Sequence, residues 1–330
     1  MNAVVVGYGA IGPVHAYAIN ECNEATLYGI CDIDKARANA GAKEYQCKAF
    51  YSFGECLMDE AVDVIHICTP HYLHYEMITK ALMQGKRVVC EKPVVMTKQE
   101  LDSLCQHYDT KRIFPIVQNR TNDCIEKLKE IVQNDREIGK LKGMKAIVTW
   151  ARDAAYYNSD DWRGQKNREG GGVLINQAIH ALDLMMLFGG KATRVMSSMM
   201  NYSLKDVIDV EDTVSAFIQF ETGAKGVFFA TNAYSRDSAV ELELHFENRV
   251  FLYADGKLYA DKKLICEDSS EFLGKQYWGK GHLKTLHDYY VQSSKFCLDD
   301  VKHTMDVLFA IYESAEKQTE VILPINTKTT

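Results

Sequence analysis

Two groups of side chains in this 330-residue chain have the types and spacing to move a proton. The first is Lys92, which follows an apolar run and precedes Pro93. A lysine beside a cleft loses part of its hydration, its pKa falls, and it exchanges protons nearer neutrality. Pro93 biases Lys92 towards an extended backbone, which aims the side chain instead of sweeping it into a helix. The second group is Asn176, His180 and Asp183, whose spacings of four and three predict one face of a single helix over residues 173–188. Histidine is the side chain whose ordinary pKa suits proton transfer near neutrality. Asp183 is expected to orient its neighbours or bond backbone. The three glycines before this helix, Gly170, Gly171 and Gly172, predict that backbone or substrate comes close to its start. Taken singly, Glu91-Lys92-Pro93 also reads as a solvated turn and His180 as a surface or cap histidine.

A site for a dinucleotide stands at the start of the chain. Ala3, Val4, Val5 and Val6 read as a strand buried on both faces, and Gly7-Tyr8-Gly9-Ala10-Ile11-Gly12 follows as G-x-G-x-x-G before a helical stretch. Gly7 permits the tight turn, Gly9 leaves room for phosphate, and Gly12 lets helix and strand pack closely, with free N–H groups at the helix start. A second apolar run ends in Asp32, about 20 residues on, where a carboxylate holds ribose hydroxyls. Asp32 and Asp34 repel a 2′-phosphate, so NAD is expected over NADP, with Lys35 offsetting part of that repulsion.

The elements that must position these groups fall into two halves, as the length implies. Over the first 119 residues, strands at 3–6, 27–31, 49–50, 62–68, 87–90 and 113–117 alternate with helices, predicting a parallel, doubly wound sheet. Ligands in such sheets bind past the carboxyl ends of the strands, which singles out Asp32, Thr69-Pro70, Glu91-Lys92-Pro93 and Gln118. From residue 120 to 330 the pattern changes to a helix at 122–134, a strand at 142–150, a polar and aromatic loop at 151–172, and five further strands between 195 and 253. Val214, Ala216, Ile218 and Phe220 alternate onto one face, and Glu221 to Lys225 read as a hairpin loop. Closing helices are expected at 282–296 and 300–317, the last of them a candidate to return to the first domain.

A net charge of −7, with no basic cluster interleaved with aromatics, argues against nucleic-acid and anionic-membrane binding. No apolar stretch reaches the roughly 18 residues of a membrane span. The core strand starts at the second or third residue, leaving no room for a leader, so a cytoplasmic location is expected. The ten cysteines include no C-x-x-C pair and are expected as reduced thiols, Cys31, Cys68 and Cys90 among them as small buried hydrophobes; no zinc site is expected. The Asn201-Tyr202-Ser203 sequon is then fortuitous.

In Gly7-Tyr8-Gly9-Ala10-Ile11-Gly12, Cys31-Asp32-Ile33-Asp34, Thr69-Pro70 with His74, Glu91-Lys92-Pro93, Trp162-Arg163, and Gly170-Gly171-Gly172 through Asn176, His180 and Asp183, the chain resembles the glucose–fructose oxidoreductase, inositol dehydrogenase and MocA family over nearly its whole length. The resemblance implies an N-terminal Rossmann domain and a C-terminal α/β domain with an open, mainly antiparallel sheet that also serves as an oligomer interface, in a homodimer or homotetramer. It implies NAD or NADP and a sugar, polyol or sugar-derivative substrate, with hydride transfer at a secondary hydroxyl. It puts Lys92 and His180 at the reacting carbinol. It puts Thr69, Pro70, His71, His74, Glu91, Lys92, Gln118, Trp162 and Arg163 near the cofactor, and Tyr277 and His282 near the nicotinamide or substrate. Many sugar-alcohol members carry Asp where this chain has Asn176. Asparagine cannot accept a proton, which argues against an Asp–His relay, but it donates and accepts hydrogen bonds to hydroxyls, so Trp162, Arg163 and Asn176 are expected to orient the sugar. Two alternatives remain: an enzyme that retains NAD and converts glycosides or anhydro-sugars by transient oxidation, and a non-catalytic NAD-binding sensor.

Overall fold

Short apolar runs set between helices form a six-stranded, all-parallel sheet: β1 (Asn2–Val6), β2 (Thr26–Cys31), β3 (Lys48–Phe50), β4 (Val64–Ile67), β5 (Arg87–Cys90) and β6 (Ile113–Pro115). Their spatial order is β3-β2-β1-β4-β5-β6. The strand order reverses between β1 and β4, the topological switch point at which doubly wound sheets bind ligands. The computed structural model describes residues 1–269, 281–291 and 295–324. The chain divides into two units, Met1–Thr121 with Ser269–Val301, and Asn122–Asp268 with Lys302–Thr330.

This division differs from a single cut after residue 119. The segment grouped with the first unit carries the helix Gly281–Tyr290, which buries Leu286 and Tyr290 in a cluster with Ala16, Ile19 and Val5. Thr121 also hydrogen-bonds the carbonyl of Gly281 and the hydroxyl of Thr285. The final helix, Asp299–Lys317, was the expected returner, but from Lys302 it groups with the second unit. There Thr304 donates to the buried Asp183, and Ser197 donates to the carbonyl of Ile311.

The second unit holds a nine-stranded mixed sheet: β7 (Leu141–Thr149), β8 (Ala192–Met200), β9 (Thr213–Phe220), β10 (Lys225–Thr231), β11 (Glu241–Phe246), β12 (Val250–Ala254), β13 (Lys257–Ala260), β14 (Lys263–Glu267) and β15 (Val321–Ile322). Their order is β14-β13-β12-β11-β7-β10-β9-β8-β15, antiparallel except where β7 runs parallel to β10. Val214, Ala216, Ile218 and Phe220 are buried on one face of β9 while Ser215, Phe217 and Gln219 are exposed on the other.

The single helix expected over 173–188 is two. Val173–Asn176 ends where Gln177 and Ala178 both donate to the carbonyl of Val173, and a new helix, Ile179–Gly189, begins after them. The Ala178 bond spans five residues instead of four and closes the first helix, so Asn176 does not lie on the helix that carries His180 and Asp183.

Candidate active site

In the first unit the three glycines of the opening turn are each held by a different constraint. Gly7 adopts φ +92°, and a Cβ there would lie 2.7 Å from the Cys68 carbonyl oxygen. At Gly12 a Cβ would lie 2.2 Å from the Gly7 carbonyl oxygen, so helix and turn pack with no space for a side chain. At Gly9 a Cβ would meet nothing within 4 Å, which leaves the space that a pyrophosphate needs. The helix Gly12–Asn20 has Pro13 at its start and no side chain capping its N-terminus, which leaves the positive end of its dipole open to an anion. Asp32 is buried, and its carboxylate accepts from the backbone N–H of Tyr8 at 2.8 Å and of Asp34 at 2.8 Å. The acid is thereby fixed against the glycine turn. These residues fit a dinucleotide.

Past β5, the Lys92–Pro93 peptide is cis, and Lys92 is half-buried. Glu91 before it is fully enclosed. One carboxylate oxygen, Oε1, accepts from His15 Nε2 at 2.9 Å and from His282 Nε2 at 3.0 Å, and the other, Oε2, accepts from the backbone N–H of Lys92 at 3.2 Å. Burial pushes the Glu91 carboxyl up, but the two imidazoles outweigh it and hold it well below the usual carboxylate range. An ionised carboxylate only accepts, which fixes each ring upstream. His15 donates from Nε2 and therefore accepts at Nδ1 from His66 Nδ1, 2.9 Å away, and His66 accepts at Nε2 from the Tyr290 hydroxyl at 2.5 Å. Burial lowers the pKa of both His15 and His66, so both rings are neutral. The result is a one-way chain of hydrogen bonds from Tyr290 to the residue before Lys92. His15, Glu91 and His282 also bring three ligand-type atoms within 4.8 Å of one another, a spacing their mutual hydrogen bonds already account for.

His74 is held by main chain. It is fully buried, with Nδ1 2.7 Å from the Pro93 carbonyl and Nε2 2.8 Å from the Thr69 carbonyl. It ties the two strand-end turns together through main chain, and both ring nitrogens are occupied. Thr69 turns its hydroxyl to Met77 Sδ at 3.5 Å. His71 and Gln118 are buried, and Pro70 is half-buried. Tyr277 lies outside the described residues.

In the second unit, Asn176 is buried and donates through Nδ2 to the carboxyl of Glu169, which also accepts from the backbone N–H of Gly164. Trp162 and Arg163 precede that glycine. Arg163 donates to Asp160 at 2.8 Å and to the Tyr156 hydroxyl at 2.6 Å, and lies over the rings of Tyr156 and Trp162. The Tyr156 hydroxyl also accepts from Gln177, whose amide oxygen accepts from Asn232, itself a donor to Tyr157. His180 is the second residue of its helix and half-buried. Asp183 is buried in the core and accepts from the Thr304 hydroxyl at 2.8 Å.

The glycine run is close-packed against protein. A Cβ on Gly172 would lie 1.8 Å from the Glu211 carbonyl oxygen, and one on Gly171 2.0 Å from the Tyr312 hydroxyl. Glu211 accepts from the N–H groups of Gly172 at 2.9 Å and Leu174 at 3.1 Å, satisfying the start of the helix Val173–Asn176. The sequence reading passed over Glu169, Glu211 and Gln177. Two acids bracketing a glycine-led apolar helix were the available signal for the first two.

A family model for oxidoreductases with an NAD-binding Rossmann fold matches residues 1–117, and one for the GFO/IDH/MocA C-terminal domain matches residues 125–251. The chain is 25% identical over 316 residues to myo-inositol 2-dehydrogenase of Thermotoga maritima, covering 92% of this chain and 88% of that one. It is 30% identical over 195 residues to D-glucoside 3-dehydrogenase of Escherichia coli, covering 56% and 53%. A levoglucosan dehydrogenase solved with NADH and levoglucosan superposes with a TM-score of 0.87 at 21% identity, covering 98% of this chain and 99% of the other. The chain belongs to the GFO/IDH/MocA family of NAD-binding oxidoreductases.

Proposed function

We propose that this protein is a dehydrogenase that transfers a hydride between NAD and a secondary hydroxyl of a sugar, polyol or sugar derivative. The observation that carries the reading is the Glu91–Lys92 turn, where a buried carboxylate fixes the backbone of a half-buried lysine at a strand end of a dinucleotide-binding sheet. Relatives named for myo-inositol and D-glucosides give the substrate class.

When bound, NAD supplies the nicotinamide ring that accepts or returns the hydride. Gly7, Gly9, Gly12 and the positive end of the helix dipole would hold its pyrophosphate, with Ala10 and Ile11 in the same turn. Asp32 takes the ribose hydroxyls. Thr69, Pro70, His71 and Gln118 line the cofactor's path at the strand ends. His180 removes the hydroxyl proton as general base, and Lys92 hydrogen-bonds the same oxygen and stabilises negative charge as it develops. Trp162, Arg163 and Asn176 orient the sugar. The test is turnover of a sugar and polyol panel with NAD and with NADP. Lys92→Ala and His180→Ala should each lose ~100-fold or more in kcat. Activity undiminished in both removes these roles, and product formed without NADH accumulating would favour transient oxidation. NAD should serve better than NADP, and Asp32→Ala should narrow that gap.

The same proposal takes the protein as a cytoplasmic homo-oligomer. None of the ten cysteines is joined in a disulfide, which suits a reducing compartment. No single helix among the described residues is long and apolar enough to cross a membrane. The exposed face of the second unit's sheet carries Met196, Phe217 and Val227 side by side on β8, β9 and β10, the kind of surface that pairs with a second copy.

A further inference from the structure

We propose that Tyr290 and His66 are positioning residues for Lys92, fixing the tautomers of two imidazoles in succession so that His15 can only donate to the carboxylate that holds the Lys92 backbone. Their bearing on catalysis rests on the reading of Lys92 as the group at the reacting oxygen; the chain of tautomers does not. His66 stands in β4, where all four residues are buried, and an imidazole there is costly unless its ring nitrogens are partnered. Both are: Nδ1 lies 2.9 Å from His15 Nδ1, and Nε2 lies 2.5 Å from the Tyr290 hydroxyl. Tyr290 is pinned in turn, its ring stacked on that of His66 at 14° and set edge-on to Tyr289. The helix Gly281–Tyr290 thus reaches Glu91 twice, through Tyr290 at the far end of the chain and directly through His282, about two turns earlier.

The consequence follows from donor and acceptor inventories. Glu91 is ionised and only accepts, so His15 carries its proton on Nε2 and offers a lone pair at Nδ1. His66 fills that lone pair with its own Nδ1–H, and the Tyr290 hydroxyl fills the lone pair left at His66 Nε2. Without the phenol, His66 is free to move its proton to Nε2. Two lone pairs then meet across the 2.9 Å between the Nδ1 atoms, and His15 relieves the contact by taking a second proton. An imidazolium at His15 draws the carboxylate's charge to Oε1 and weakens the hydrogen bond from the Lys92 N–H to Oε2. The other titratable groups beside the chain, the Cys68 and Cys90 thiols and the Tyr289 hydroxyl, are kept protonated by burial, which leaves the histidines and Glu91 to exchange charge. Leucine at position 66 and phenylalanine at 290 would fill similar space with no polar group to satisfy, so a role confined to packing predicts that they serve as well.

Two measurements test this. In protein with ring-15N histidine, the nitrogen shifts report which atom of each ring carries the proton, and His15→Asn and His66→Asn assign the signals. Followed from pH 5 to 8, native His15 should stay neutral with its proton on Nε2, and His66 neutral with its proton on Nδ1. Tyr290→Phe keeps the ring and removes only the hydroxyl. In it a doubly protonated His15 should appear at the acid end, its proton affinity raised about tenfold. A native His15 protonated on Nδ1, or a pattern untouched by Tyr290→Phe, overturns the proposal. Kinetics with the sugar and cofactor found by the panel give the second readout. Tyr290→Phe and His66→Leu should each lower kcat about tenfold, with KM for the sugar altered less. The double variant should be no worse than the poorer single, because both break one chain. His66→Asn, whose amide can still donate to His15 Nδ1, should keep more of kcat than His66→Leu, which donates nothing. Native kcat in Tyr290→Phe, or no advantage of His66→Asn over His66→Leu, overturns the proposal. Should His66→Leu fail to fold, Tyr290→Phe decides alone. If the native protein turns over no sugar with either cofactor, the dehydrogenase reading falls, while the ring-nitrogen shifts still decide the chain of tautomers.

Discussion

At the scale of single residues, the buried titratable groups pull stability in opposite directions with pH. His15 and His66 are neutral inside the first unit, burial having lowered their pKa values. Below about pH 6.5 the unfolded chain takes up protons that these rings refuse, so stability drops as the pH falls. Glu91, held low, adds stability above the ordinary carboxylate range and loses it only at stronger acidity. Glu169 has the reverse sign. Its carboxyl rises from 4.5 to about 7, so between those values the native state binds a proton the unfolded chain has released, and stability falls as the pH rises. The full rise is worth ~3 kcal/mol, complete above about pH 7. Glu169→Gln, which cannot ionise, should therefore be relatively more stable than the native protein at pH 8 than at pH 5. Urea unfolding of both proteins at the two pH values measures this. A difference between them that does not change with pH would refute the assigned sign.

At the scale of elements, the two glycine-led turns look alike in sequence and are held by different constraints. Gly9 has open space around its missing Cβ, whereas Gly172 abuts the Glu211 backbone. Gly9→Ala should fold with an unchanged melting temperature yet lose most of the stabilisation that excess NAD confers, which is ~2.7 kcal/mol at a hundredfold excess over Kd. Gly172→Ala should cost several kcal/mol or fail to fold, because no side-chain movement relieves a clash with main chain. Thermal unfolding with and without NAD separates the two. The first unit was legible because each parallel strand, buried on both faces, is one apolar run between helices, and Arg87–Cys90 falls where the pattern puts it. The second unit was less so. The strands Lys257–Ala260 and Lys263–Glu267 are only four and five residues long, too short for an alternation to be read. The break after Asn176 is invisible because residues on both sides are apolar, and the extra residue is set by which carbonyl Ala178 bonds. The candidate site followed the same rule. Motif residues with a fixed local geometry could be found, but Glu169 takes part only because the chain folds back onto Gly164.

At the scale of the whole molecule, the question is what covers the outer face of the nine-stranded sheet. Met196 pairs with Phe217, and Phe217 with Val227, so their side chains form a row across three strands. They are 43%, 67% and 45% exposed. Beyond the row, Lys145 and Glu243 form an ion pair on neighbouring strands, a polar margin to the apolar strip. A groove on this sheet, lined by residues that include Ser198, Met200, Ser215 and Phe229, has a volume of about 430 Å³. A soluble monomer seldom leaves such a row uncovered, and an apolar centre with a charged margin is how protein interfaces are built. A two-fold pairing of this face with itself meets the need without a second protein. Phe217→Arg would put a charge at the centre of that contact, facing its own copy across the axis, while on a monomer it would only replace one exposed side chain with a more soluble one. Sedimentation should therefore find the native protein as a dimer or larger and Phe217→Arg shifted towards monomer. Its unfolding as a monomer should stay cooperative. A native protein that sediments as a monomer at micromolar concentration, or a Phe217→Arg variant that keeps the native mass, would take this face out of the assembly.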